Sequence, residues 1–135
     1  MIAIDVNVVA YLLIEGSHTE QSEAVLIRDP VWAAPLLWRS ERRDVLAGYL
    51  RRGELDRTGV LDRIGAADTL VQGREYVVDD ARVMDLVAAS TCSAYDCEYV
   101  ALAEALDIPL VTNDRLLRTA FPDRALSPPD FLATG

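Results

Sequence analysis

The sequence predicts a single α/β domain with a short, mostly parallel central sheet flanked by helices. Three observations carry that expectation. Compact strand-like segments alternate along the chain with longer helical ones, the pattern of a parallel sheet covered by its crossover helices. The chain has 135 residues, of which 51% are apolar, enough for one domain with a real core. No linker, repeat or low-complexity stretch divides it, so one domain is expected over residues 1–135.

Each element has a local reason. Ile2–Ile4 is a short apolar run ending at Asp5, and residues 6–14 read as an apolar helix stopped by Gly16 and Ser17. Residues 20–28 form a second helix, closed by Asp29 and Pro30, because proline cannot continue a helix. Residues 31–34 are a buried-strand candidate ended by Pro35, and residues 36–52 the clearest amphipathic helix, stopped by Gly53. Another helix covers residues 54–70, followed by a strand at 75–78 rich in Tyr and Val. Asp79 and Asp80 start a helix reaching about Ser90; residues 93–106 form the next, 109–112 a strand and 113–120 a helix. Pro122, Pro128 and Pro129 are expected to break up the tail, leaving Ala125–Leu126 as a last edge strand.

Composition removes whole classes of function. Twenty-two acidic residues face 13 basic ones, for a net charge of −9 and a pI near 4.5. All 13 basic residues are arginine. Without lysine there is no Walker-type phosphate loop, Schiff-base lysine or Ser–Lys pair. The acidity by itself argues against broad electrostatic binding of nucleic acid. His18 stands alone in a polar stretch, as expected of a loop residue without catalytic duty. Cys92 and Cys97 are too few for a disulfide framework and fit a reducing compartment. The N-terminus has no basic leader region, and no apolar run approaches about 18 residues. Neither signal peptide nor membrane span is expected, and the expected location is the cytoplasm.

Four carboxylates occupy unusual places. Asp5 and Asp114 each end a strand candidate and precede a helix. Taken singly, helix capping accounts for both. Asp96 falls inside the apolar arc of its helix with Tyr99, Val100 and Ala103, so it must be paired, protonated or metal-bound. A buried arginine partner or a cap is the alternative. Glu41 borders the arc made by Trp38, Val45, Leu46, Tyr49 and Leu50, where a surface ion pair would also serve. In parallel sheets, ligands gather beyond the carboxyl ends of the strands. Two carboxylates there and two on inward helix edges can converge into an all-oxygen site suited to Mg²⁺ or Mn²⁺. Such a site is a setting for phosphoryl chemistry.

With these residues in view, the sequence resembles PIN-domain ribonucleases, specifically the VapC-type toxins of bacterial toxin–antitoxin pairs. The matching stretches are residues 4–7 (Ile-Asp-Val-Asn), 38–41 (Trp-Arg-Ser-Glu), 93–103 around Asp96, 110–114 (Leu-Val-Thr-Asn-Asp) and the 127–132 tail, in family order. The resemblance implies a PIN-like fold in which Asp5, Glu41, Asp96 and Asp114 bind Mg²⁺ or Mn²⁺. Asn7, where a hydroxyl residue is common in the family, and Thr112 are implied as polar helpers. The implied reaction is hydrolysis of an RNA phosphodiester leaving 5′-phosphate and 3′-hydroxyl ends. A cognate antitoxin and a second copy of the chain are the implied protein partners. Cys97 stands where a small apolar residue is usual and reads as packing.

RNA would still need cations. Arg39 and Arg43, on the helix of Glu41, and Arg115, beside Asp114, are the candidates, although pairing with surface acids accounts for most arginines in so acidic a chain. Trp32 and Trp38 are expected in the core. The rival classes are a receiver-like phosphoacceptor domain and a dehalogenase-like phosphatase. Both lack their lysine here. A PIN-like module that binds metal or partner without catalysis is the remaining alternative.

Overall fold

A computed structural model describes residues 1–134; Gly135, the last position of the expected domain, lies outside the described residues. The chain folds as α/β, with one five-stranded, wholly parallel sheet among those residues. The strands are β1 (Ile2–Ile4), β2 (Trp32–Pro35), β3 (Glu75–Tyr76), β4 (Leu110–Val111) and β5 (Ala125–Leu126). Their order across the sheet is β3-β2-β1-β4-β5. Helices α1 (Val6–Leu13) and α2 (Thr19–Arg28) connect β1 to β2, and α3 (Trp38–Arg51) and α4 (Arg57–Val71) connect β2 to β3. Helices α5 (Asp80–Ala88) and α6 (Ala94–Leu106) lead to β4, α7 (Arg115–Ala120) joins β4 to β5, and α8 (Pro128–Ala133) ends the fold.

The core follows from the sequence pattern. β1 is buried along its whole length because it is the middle strand and has helices on both faces. Helix α6 packs across β1, β2 and β4, and its Cys97, Val100, Ala101 and Leu102 are buried. Trp32 and Trp38 are fully buried, as expected, and each indole N–H finds an acceptor: the Asp29 carbonyl at 2.8 Å and the Glu75 carboxylate at 2.9 Å. Both cysteines are buried free thiols. No helix among the described residues is long and apolar enough to cross a membrane.

Most elements lie within a few residues of their expected positions. The tail departs from expectation. Pro128 and Pro129 do not break it; they open α8 at its first two positions, where the missing N–H has no helical partner to lose. Ser127 caps this helix by accepting the Asp130 N–H at 3.2 Å, and Phe131 is buried where α8 packs on α2. Pro35, expected to end β2, is instead its last residue, and β3 stops at Tyr76, leaving Val77 exposed. His18 precedes α2 and stacks on Tyr11 with ring centroids 4.5 Å apart.

Candidate metal centre

The sheet register assembles the site. Ile4 pairs with Val111, so Asp5, one residue on, comes beside Thr112. The Asp5 N–H continues the ladder to the Val111 carbonyl at 3.1 Å. Chain direction diverges here: β1 leads toward β2 on one side, and β4 toward β5 on the other. Such a switch point opens a crevice at the carboxyl ends of the strands. Asp5 and Asp114 flank it, and Thr112 is completely buried between them. Its hydroxyl donates to Asp5 Oδ2 and accepts the Asp114 N–H at 3.0 Å.

Capping and site formation turn out to be compatible. Asp5 caps α1 by accepting the Asn7 N–H at Oδ1 (3.2 Å), and Asp114 caps α7 by accepting the Leu117 N–H at Oδ1 (3.1 Å). Ser93 caps α6 and receives the Asp96 N–H at 3.0 Å, placing Asp96 in the first turn. Glu41 enters from the first turn of α3, where its Oε1 accepts the Tyr99 phenol at 2.6 Å.

The electrostatics tie these four acids together. Burial pushes the Asp5 carboxyl above its usual range; Thr112 and Asn7 oppose the rise, and the charges of Asp114 and Asp96 add to it. Burial also raises Glu41, against the Tyr99 bond, with Asp5, Asp96 and Glu98 adding repulsion. Asp96 rises through burial and then through Asp114. None of the four forms an ion pair among the described residues, so the buried-arginine alternative for Asp96 is not what the fold contains. As the side chains lie, no three His, Cys, Asp or Glu groups among the described residues stand close enough to cage an ion. The donor set nevertheless fits a hard cation: all oxygen, mutually repelling and without basic partners.

Beside this cluster an open groove of about 510 Å³ is lined by Val6, Asn7, Ser40, Glu41, Asp44 and Tyr95 among others. Asn7 is exposed at its edge. Of the arginines expected near RNA, Arg43 and Arg115 are exposed and carry no ion pair among the described residues. Arg39 instead forks onto Glu75, with Nε–Oε2 2.5 Å and Nη2–Oε1 2.9 Å. Two site neighbours escaped the sequence reading. Tyr99 was read as core only, although a buried phenol needs a hydrogen-bond partner. Asp44, whose place beside Arg39, Arg42 and Arg43 in the sequence suits a solvated face, lines the groove.

Comparison with solved structures shows the same fold in proteins of low sequence identity. FitAcB from Neisseria gonorrhoeae superposes with a TM-score of 0.75 at 19% identity, covering 95% of this chain and 98% of that one. PAE2754 from Pyrobaculum aerophilum gives 0.74 at 18%, covering 97% and 85%. A toxin–antitoxin complex from Klebsiella pneumoniae gives 0.70 at 17%, covering 95% and 98%. These structures share the fold of this chain over nearly its whole length. No protein-family model and no curated relative matches the sequence.

Proposed function

We propose that the chain is a metal-dependent endoribonuclease acting in the cytoplasm as the toxin of a toxin–antitoxin pair. One observation carries this reading: the charges of four carboxylates from four separate elements around the sheet's switch point repel one another without a basic partner. Water-exposed acids would relieve such repulsion by spreading apart. Fixed capping bonds keep Asp5 and Asp114 in place, and the Tyr99 bond keeps Glu41 there. A divalent cation offsets repulsion of this kind.

Asp5, Asp96 and Asp114 would hold Mg²⁺ or Mn²⁺, with Glu41 bound directly or through water. When bound, such an ion supplies Lewis acidity and a water acidic enough to attack at neutral pH. The chain's own part is positioning. Thr112 fixes the Asp5 carboxylate, Asn7 offers an amide at the groove edge, and Arg43 and Arg115 can meet phosphate oxygens on either side. No histidine or cysteine is required as nucleophile, consistent with His18 stacking on Tyr11 just before α2 and both thiols being buried.

The toxin role is supported by the fold shared with the Klebsiella toxin–antitoxin complex. The groove suits a basic antitoxin segment, because Glu41 and Asp44 line it. Exposed Leu36, Val77, Met84 and Tyr95 supply apolar surface for protein contacts, with the antitoxin or with a second copy in a homodimer. The test is incubation of a mixed RNA pool with the protein and Mn²⁺ or Mg²⁺, followed by end-group analysis. The expected products carry 5′-phosphates and vanish with a chelator. Cleavage that survives chelation, or leaves cyclic phosphates, contradicts the reading.

A further inference from the structure

Tyr99 lies one turn beyond Asp96 on the inward face of α6, with only 3% of its surface exposed. Its hydroxyl donates to Glu41 Oε1 at 2.6 Å, joining residues 58 apart in the chain. A phenol has a single proton, and this bond commits it to Glu41. The Glu41 side chain, on α3, is therefore tied to α6, the helix that carries Asp96. One carboxylate oxygen is engaged, and the other is left for whatever enters the cluster. Packing does not require this hydroxyl: phenylalanine would fill the same space without the cost of burying a polar group.

We propose that Tyr99 is a positioning residue, whose hydroxyl orients the Glu41 carboxylate and thereby sets the affinity of the cluster for a divalent cation. The inference rests on the carboxylate-centre reading given above. Partners that orient metal-binding carboxylates commonly change affinity by at least about tenfold when removed.

The probe is Mn²⁺ alone, titrated calorimetrically into the RNA-free full chain. Tyr99→Phe is expected to weaken Mn²⁺ binding about tenfold while retaining a cooperative thermal transition. In a Glu41→Ala background the same substitution is expected to change affinity less than about twofold, since nothing remains to orient. The proposal is overturned if Tyr99→Phe leaves Mn²⁺ affinity unchanged, if its effect is as large without Glu41, or if the variant no longer folds. Asp96→Asn separates the two levels. If it too binds Mn²⁺ as the parent does, the carboxylate centre itself is at fault; if it binds weakly and Tyr99→Phe does not, only the positioning role falls.

Discussion

Thr112 donates its hydroxyl proton to Asp5 across 107 residues of sequence, at a point where neither group meets solvent freely. The same oxygen accepts the Asp114 N–H, so one hydroxyl ties the end of β1 to the start of α7. Thr112→Val keeps the shape and strands both partners. It is expected to cost about 1–3 kcal/mol in urea denaturation and to weaken Mn²⁺ binding by about tenfold or more. Thr112→Ser, retaining the hydroxyl, should recover most of both. Equal losses for Val and Ser would assign the effect to packing.

The raised carboxyls give the metal-free protein a defined pH dependence. Asp5, Glu41 and Asp96 bind protons more tightly folded than unfolded. Their stabilising contribution is complete below the ordinary values of 3.8 for Asp and 4.5 for Glu, and it is lost as pH rises through the higher folded values. Glu75, lowered by its Arg39 bond, runs the opposite way: its contribution is present above 4.5 and is lost as pH falls through its lowered folded value. Without metal, denaturation midpoints should therefore decline as pH rises above the ordinary carboxyl values, and they should recover with Mn²⁺. A rising midpoint in chelator would contradict the electrostatic picture.

Asp96→Asn tests the same repulsion at one position, and the amide oxygen can still accept from the Ser93 hydroxyl that opposes the rise at Asp96. The metal-free variant is expected to be more stable at pH 7.5 by about 0.5–1 kcal/mol, discounted for partial exposure. Its midpoint should also fall less steeply with pH than the parent's. A destabilised variant with the parent's slope would mean that Asp96 does not share the field of Asp114.

The arginines divide by their contacts. Arg43→Gln and Arg115→Gln, each in an Asp96→Asn background that cannot cut, should weaken single-stranded RNA binding and reduce the salt slope by about 0.7 per lost phosphate contact. Arg39→Gln should leave that slope nearly unchanged, because its guanidinium is held by Glu75; it should loosen α3 against β3 instead. Filter binding at several salt concentrations separates the three. A slope change confined to Arg39→Gln would reverse the assignment.

Much of this arrangement was legible locally. Apolar runs ending in Asp5 and Asp114 marked the strand ends, and the apolar arc around Asp96 marked a carboxylate facing inward. What local reading misses is pairing across the fold. The Tyr99–Glu41 bond joins α6 to α3, and the capture of Arg39 by Glu75 depends on β3 lying beside β2; no short-range periodicity carries either. The α8 helix was missed for a different reason. Proline excludes the helix interior but fits the first turn, and only the Ser127 cap distinguished the two cases.

The account's central claim is that Asp5, Glu41, Asp96 and Asp114 act as one metal centre for RNA hydrolysis. Initial rates of Mn²⁺-dependent cleavage of one RNA pool, compared for the parent and for Asp5→Asn, Glu41→Gln, Asp96→Asn and Asp114→Asn, test it most directly. Each folded variant is expected to lose at least about a hundredfold, and double variants little more, as for groups acting as a unit. Parent-like cleavage by the Asp5, Asp96 or Asp114 variant, or multiplicative losses in the doubles, would contradict it.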